Sequence, residues 1–125
     1  MMVLDASALL ALINAEPGWD SVAAAIGEAA ISAVNLAEVV TKMIDIGIPK
    51  DDAWVEAADL VPAIIDFGPE QARATAELRT ATRSLGLSFG DRACLALARQ
   101  LHLPALTADQ AWRRLSIDVE IRFLR

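Results

Sequence analysis

Four acidic residues are spaced along the 125-residue chain so that each follows or flanks a short apolar segment. They are Asp5, Glu38, Asp91 and Asp109. Carboxylates that meet in one site repel each other unless a cation lies between them. If these four meet, their oxygen atoms form the hard ligand set that Mg²⁺ and Mn²⁺ prefer. Such a site is suited to metal-assisted cleavage of phosphodiester bonds.

The elements that must position these acids alternate between strands and helices. Short apolar runs predict strands at residues 2–4, 30–32, 63–67, 104–107 and 119–123. Helical periodicity and capping signals predict helices at residues 6–14, 19–28, 34–46, 50–60, 69–84, 88 or 89 to 101, and 110–115. This alternation predicts one domain over residues 1–125, an α/β fold with a central parallel sheet between two layers of helices.

Each acid, taken alone, also has a structural explanation. Asp5 and Asp109 stand where helix N-caps belong. Glu38 and Asp91 each lie three residues after a capping residue, the spacing of a capping box. Glu38 also lies four residues before Lys42, which favours a helical ion pair. A helical wheel places Glu38 opposite the apolar stripe of its helix, so periodicity does not predict its burial.

The common position of the four acids favours a site over four independent caps. In an open parallel sheet, ligands bind beyond the carboxyl ends of the strands. Asp5 ends the first strand, and Asp109 follows the fourth after one intervening residue. Glu38 and Asp91 lie near the starts of helices that would begin at the same edge. We therefore expect all four carboxylates to converge there.

The segments around the four acids resemble those of the PIN domain. They read VLDASALL at residues 3–10, SAVNLAEV at 32–39, LSFGDRACLALA at 87–98 and LTADQAW at 106–112. Within this family the chain looks most like the ribonuclease toxins of VapC type from toxin–antitoxin pairs. The resemblance covers the whole chain, and no acid of the pattern is missing.

The resemblance implies a three-layer fold with strand order 3-2-1-4-5 and endonucleolytic cleavage of RNA. It implies Mg²⁺ or Mn²⁺ held by Asp5, Asp91 and Asp109, with Glu38 serving a second ion or orienting a water. All four would be catalytic residues. It also implies a homodimer and a cognate antitoxin that occupies a groove of the toxin.

Further polar residues are expected to support this site. The hydroxyls of Ser7 and Thr107 are expected to fix the geometry of the metal ligands. Arg79, Arg83 and Arg92 are candidate contacts to RNA phosphates, because the guanidinium group donates two parallel hydrogen bonds. Ion pairing with neighbouring acids is an equally good explanation for these arginines.

An apolar surface is expected from the apolar content of 55% and the mean hydropathy of +0.41. An amphipathic antitoxin helix would dock on such a surface. Its candidate lining residues are Val39, Val40, Met43, Trp54 and Val55. Packing of the same residues inside the domain is the alternative.

Composition restricts the location and the partners. The net charge of −6 weakens a nucleic-acid interpretation, although all of the 11 basic residues except Lys42 and Lys50 are arginine. A single cysteine, Cys94, fits a reducing compartment. No apolar run approaches the roughly 20 residues of a membrane helix, and the N-terminus lacks signal-peptide features. We expect a cytoplasmic protein without a membrane partner.

Three other functions are weaker alternatives. A haloacid-dehalogenase-type phosphatase requires a second acid two residues after Asp5, where this chain has Ser7. That phosphatase and a receiver-like phospho-switch also require a well-placed lysine, and the chain offers only Lys42 and Lys50. A catalytically silent PIN-like scaffold that binds partners is the alternative from another class, and a scaffold would not need the four acids together.

Overall fold

Short apolar strands lie at the centre of the fold. The computed structural model describes all 125 residues, Met1–Arg125. The strands are Met2–Leu4 (β1), Ala29–Ser32 (β2), Ala63–Ile65 (β3), Ala105–Thr107 (β4) and Ile121–Phe123 (β5). Every neighbouring pair is parallel, and the order is β3-β2-β1-β4-β5. The predicted parallel sheet and its strand order 3-2-1-4-5 are thus confirmed.

Helices connect successive strands, as parallel pairing requires. The α-helices are Ala6–Ile13 (α1), Trp19–Ala25 (α2), Ala33–Asp45 (α3), Lys50–Leu60 (α4), Pro69–Glu77 (α5), Arg79–Thr82 (α6) and Phe89–Leu101 (α7). Three 3₁₀ turns cover Ile26–Glu28, Arg83–Leu85 and Gln110–Arg114. None of the helices is both long and apolar enough to cross a membrane.

The pleat of the strands divides the core into two halves. Successive residues of a strand point to opposite faces of the sheet. Leu4 and Leu106 belong to the larger buried cluster, which is formed with helices α1 to α4. Val3 and Ala105 belong to the other cluster, which is formed mainly with α7. Helices therefore cover both faces, as the alternation of elements predicts.

The helix predicted over residues 69–84 is interrupted. Its first part ends at Glu77, and α6 and the turn Arg83–Leu85 continue the path. The hydroxyl of Thr82 donates to the carbonyl oxygen of Leu78 at 2.9 Å, and both residues are buried. Such bonds to the preceding turn bend helices. Gly86 then reverses the chain in a left-handed conformation, with φ of +66°.

Three predicted strands are shorter in the structure, and one of them, β4, begins at Ala105 and not at Pro104. In β3, three residues pair with residues 30–32 of β2, so the strand ends at Ile65 and not at Phe67. In β5, three residues pair with β4, so the strand begins at Ile121 and not at Val119. The helix predicted over residues 19–28 likewise ends at Ala25, and a 3₁₀ turn leads into β2.

Candidate active site

Two hydroxyl groups hold the carboxylate of Asp5 at the end of β1. The Oγ of Ser7 donates to Oδ2 of Asp5 at 2.6 Å, and Oγ1 of Thr107 donates to the same oxygen at 2.9 Å. The backbone N–H of Ala108 donates in turn to Ser7 Oγ at 3.0 Å. This network joins the ends of β1 and β4. Asp5 makes no side-chain capping bond to α1, so the capping explanation fails for this residue.

The Asp5 carboxylate is almost fully buried, with 4% of the residue exposed. The pKa of Asp5 is raised from 3.8 to about 6, chiefly by burial and additionally by the negative charges of Asp91 and Glu38. The hydrogen bonds from Ser7 and Thr107 act in the opposite direction. A buried carboxylate facing two like charges is an unfavourable arrangement that a cation would relieve.

Glu38 is held against the first turn of α7. Nδ2 of Asn35 donates to Oε1 of Glu38 at 2.9 Å and to the carbonyl oxygen of Gly90 at 2.9 Å. Asn35 is therefore a bridge between α3 and α7 and does not form a capping box with Glu38. The cap of α3 is Ser32, whose Oγ accepts from the N–H of Val34 at 3.2 Å.

The half-buried position of Glu38 departs from the exposed position that a helical wheel suggests. Burial raises its pKa, the hydrogen bond from Asn35 lowers it, and the charge of Asp91 raises it. Lys42 also lowers the pKa but forms no ion pair with Glu38. The carboxylate thus faces the acids of the site.

Asp91 caps its own helix while keeping one oxygen free. The N–H of Ser88 donates to Oδ2 of Asp91 at 2.9 Å, and the N–H of Asp91 donates to Oγ of Ser88 at 3.2 Å. This is the predicted capping box, and it fixes the side chain. Burial raises the pKa of Asp91, the bonds from Ser88 lower it, and the charge of Asp109 raises it.

Asp109 is tied to the same network through Thr107. Its N–H donates to Oγ1 of Thr107 at 3.0 Å. Its Oδ1 accepts from the N–H of Ala111 at 2.9 Å and caps the 3₁₀ turn Gln110–Arg114. The capping role predicted for Asp109 is therefore present. Because Thr107 bonds to both Asp5 and Asp109, one hydroxyl links two of the four acids.

The structure brings the four acids to one edge of the sheet, where their charges influence each other. As they stand, no three of them are close enough to form a complete metal-binding cluster. Mg²⁺ keeps several of its waters and is commonly bound through only one or two carboxylates. All of the potential ligand atoms are oxygens. They lie around the buried Asp5, whose negative charge is repelled by those of Asp91 and Glu38. These residues therefore fit a hydrated divalent cation.

The other potentially reactive side chains lie outside this chemistry. Cys94 is fully buried in α7, and burial raises its thiol pKa well above the usual range, which makes a thiolate nucleophile unfavourable. His102 caps the C-terminus of α7 in a left-handed conformation, with φ of 54°. The carboxylates are therefore the candidate reactive groups of this edge.

The candidate RNA-binding arginines are not held together on one helix. Arg79 lies in α6 and Arg83 in the 3₁₀ turn that follows, and both are exposed without an ion pair. Arg92 does not pair with Asp91. Its Nη1 donates to the carbonyl oxygen of Thr75 at 3.0 Å, which ties α7 to α5.

The five residues expected to line an antitoxin groove do not form one surface. Val39 and Met43 are 0% and 1% exposed and pack in the core with α1 and α4, as the alternative explanation predicts. Val40 is half-buried, while Trp54 and Val55 are about half exposed, at 51% and 54%. Val39 is therefore unavailable to a partner, whereas Met43, although buried, also borders the groove between α1 and α3.

A different groove was not predicted from the sequence. It has a volume of about 450 Å³ and runs between α1 and the C-terminal half of α3. Its lining residues are Ser7, Leu10, Asn14, Glu16, Lys42, Met43, Asp45 and Ile46. The sequence signal that could have indicated this groove is an apolar residue directly before the helix-ending glycine, Ile46 before Gly47. The side chain of Ile46 is exposed in the structure. Because Ser7 contacts Asp5, the groove reaches the carboxylate edge.

Comparison with known proteins agrees with this geometry. The PIN domain family model matches residues 2–118. A chain of a toxin–antitoxin complex from Klebsiella pneumoniae superposes with a TM-score of 0.77 at 17% identity, covering 100% of this chain and 98% of that one. A chain of DNA-bound VapBC from Salmonella typhimurium gives a TM-score of 0.75 at 16% identity, with both chains covered completely.

A chain of VapBC2 from Rickettsia felis, solved bound to a promoter DNA fragment, gives a TM-score of 0.71 at 20% identity, covering 97% of this chain and 96% of that one. No curated protein sequence matches. These structural similarities concern the fold, and the family model spans most of the chain and all four acids. With its 3-2-1-4-5 parallel sheet and its acids gathered at one edge, the chain belongs to the PIN domain family.

Proposed function

We propose that this protein is a metal-dependent endoribonuclease and the toxin of a VapC-type toxin–antitoxin pair. The observation that carries the proposal is the buried carboxylate of Asp5, whose pKa of about 6 reflects burial and the facing charges of Asp91 and Glu38. Such an arrangement is unfavourable in the absence of a cation. Residues 1–125 would act as one domain.

In this proposal Asp5, Asp91 and Asp109 would hold Mg²⁺ or Mn²⁺ directly or through its bound waters, and Glu38 would help to bind a second ion or orient a water. A bound divalent cation supplies Lewis acidity: it makes a water a better nucleophile and neutralises charge on phosphoryl oxygens. Oδ1 of Asp91 has no donor within the protein and is free to take part.

The remaining residues would hold these ligands in place. Ser7 and Thr107 donate to one oxygen of Asp5, which leaves Oδ1 of that carboxylate free and fixes the plane of the group. Asn35 does the same for Glu38 by engaging only Oε1. Asp5 and Glu38 thus each keep one carboxylate oxygen free while the other accepts hydrogen bonds. This is the arrangement expected of metal ligands whose orientation is fixed by neighbouring side chains.

Partners are proposed from the same observations. The matched structures from Klebsiella, Salmonella and Rickettsia are toxin–antitoxin assemblies, which supports a cognate antitoxin for this chain. The groove of about 450 Å³ between α1 and α3 is our candidate antitoxin surface, because it reaches Ser7. Trp54 and Val55 remain candidates for a protein contact. We also propose a homodimer and a cytoplasmic location.

Cleavage of structured RNA by the purified protein tests this function. We expect discrete fragments in Mn²⁺ or Mg²⁺, and we expect them to vanish with a chelator or in the Asp91→Asn variant. Asp118→Asn is a matched control, since this exposed acid lies away from the carboxylate edge and pairs with Arg99. Metal-loaded protein that cleaves no RNA would favour the catalytically silent scaffold.

A further inference from the structure

The side chain of Phe89 is exposed at the N-terminus of α7, the helix that carries Asp91. Phe89 is the first residue of α7 and lies two residues before Asp91, within the same helical turn. The residue is 51% exposed, although phenylalanine is usually buried. The residues next to it in the chain, Ser88 and Gly90, have no apolar side chain. Phe89 is therefore not part of a continuous apolar run.

The exposed ring is held in place by its neighbours. Phe67 meets it in a T-shaped arrangement, with ring centroids 5.7 Å apart and an interplanar angle of 82°. The guanidinium carbon of Arg92 lies 6.0 Å from the centroid of the Phe89 ring. Arg92 is itself fixed by its bond to the carbonyl oxygen of Thr75. A ring that is already ordered loses little conformational freedom when a ligand packs on it.

We infer that Phe89 is a stacking platform for a nucleobase of single-stranded RNA next to the bond that is cleaved. This inference rests on the proposed function and specifies how its substrate is held. Unstacked bases of single-stranded RNA are commonly bound by aromatic side chains and by arginine guanidinium planes. A phosphate that reaches Asp91 brings its adjoining nucleotides to the first turn of α7.

The charge of the protein makes such a contact valuable. The net charge is −6, and the four acids at this edge repel phosphates until cations bind. Stacking does not depend on charge and tolerates any base, because every base has a π-face. The cation of Arg92 beside Phe89 offsets some of the local negative potential. A base contact at Phe89 therefore supplies affinity that electrostatic attraction does not.

The test is a double-mutant type of cycle. The ring of Phe89 is removed from the protein and the bases are removed from the oligonucleotide, separately and together. The probes are a short fluorescein-labelled oligoadenylate and an abasic ribose-phosphate chain of the same length, whose phosphates are identical. Binding is followed by fluorescence anisotropy in Ca²⁺, with the wild type, Phe89→Leu and Phe89→Trp. We expect Phe89→Leu to weaken oligoadenylate binding by about tenfold, Phe89→Trp to retain it, and the abasic chain to bind all three equally.

Trp54→Leu is the matched control. Trp54 has the same 51% exposure but lies on α4, which carries none of the four acids, so its loss should leave oligoadenylate binding unchanged. Equal affinity of the wild type and Phe89→Leu for oligoadenylate would overturn the inference. Failure of the wild type to bind oligoadenylate would overturn it as well.

The assay separates this inference from the proposed nuclease activity. Binding that depends on Phe89, together with no cleavage of any RNA, would contradict the nuclease proposal and retain the stacking contact. Cleavage by the wild type, together with unchanged binding in Phe89→Leu, would support the nuclease proposal and contradict the stacking contact.

Discussion

The carboxylate of Glu38 occupies the space in which a side chain at residue 90 would begin. A Cβ atom built on Gly90 would lie 1.8 Å from Oε1 of Glu38 and 2.5 Å from its carboxyl carbon. The absence of a side chain at Gly90 thus lets a residue of α3 approach the N-terminus of α7. Asn35 completes this contact by bonding to both partners.

Replacing Gly90 by alanine is expected to displace Glu38 without unfolding the protein. The clashing atoms are the end of a flexible side chain, which can rotate away, and alanine in a helix is favoured over glycine by about 1 kcal/mol. We expect stability to be unchanged or slightly raised, and RNA cleavage to fall to the level of a Glu38→Gln variant. Urea denaturation and initial cleavage rates measure the two effects.

The control for this substitution is Gly27→Ala. A Cβ at Gly27 meets no atom within 4 Å, and the site has no requirement for a positive φ. This variant should cleave as the wild type does. Full activity of Gly90→Ala would show that the position of Glu38 does not matter to the reaction.

The raised pKa of Asp5 predicts an inverted pH dependence of stability. The folded-state pKa of about 6 exceeds the ordinary value of 3.8, so the native protein holds a proton that the unfolded chain releases. The free energy of unfolding therefore decreases as the pH rises from about 4 to about 6. Above this window, the buried charge costs on the order of 3 kcal/mol in the absence of metal.

Asp5→Asn removes this ionisation and keeps an oxygen that can accept from Ser7 and Thr107. In chelator at pH 7 we expect the variant to be more stable than the wild type by up to about 3 kcal/mol, and at pH 4 by much less. Mn²⁺ should raise the melting temperature of the wild type only. Urea titrations at both pH values measure the difference; a variant that is equally destabilised at both would disprove the ionisation argument.

Thr107→Val is expected to weaken metal binding while preserving the buried volume. Thr107 is fully buried, and its hydroxyl bonds to Oδ2 of Asp5 and to the N–H of Asp109. Loss of such a supporting group typically lowers metal affinity by about 10- to 100-fold. Calorimetric titration with Mn²⁺ provides the readout, and Thr107→Ser should restore most of the affinity. Unchanged affinity in Thr107→Val would separate the hydroxyl from the metal site.

Two substitutions separate the capping role of Asp91 from its proposed catalytic role. Ser88→Ala removes the hydroxyl that accepts from the N–H of Asp91 and should cost about 1 kcal/mol of stability. Because it keeps the carboxylate, it should still cleave RNA, whereas Asp91→Asn should not. If Ser88→Ala were as inactive as Asp91→Asn, the cap alone would explain the role of Asp91.

The sequence by itself determined the order of the elements and the edge at which the acids lie. Local apolar runs specify strands such as β1, and a parallel sheet places the residue after each strand at a common edge. The positions of Asp5 and Asp109 follow from this rule. The capping box of Ser88 and Asp91 was also readable, because it depends on residues three positions apart.

Only the tertiary structure decided how these side chains are supported. Ser7 and Thr107 are 100 residues apart, yet both donate to one oxygen of Asp5. Glu38 can reach the site because Gly90, 52 positions away, has no side chain. The periodicity of its own helix predicts instead that Glu38 is exposed. Periodicity describes one helix at a time and carries no information about a neighbour that lacks a side chain.

The same limitation of local patterns applies to the apolar residues of α3. The sequence identified Val39 and Met43 as candidate groove residues but did not show whether the core or a partner covers them, and in this fold both pack in the core with α1 and α4. Periodicity likewise predicted an unbroken helix beyond Glu77. It does not detect the burial of Leu78 and Thr82, on which the bend depends. Local pattern thus specified the elements, and long-range packing decided which faces and which carboxylate oxygens remain free.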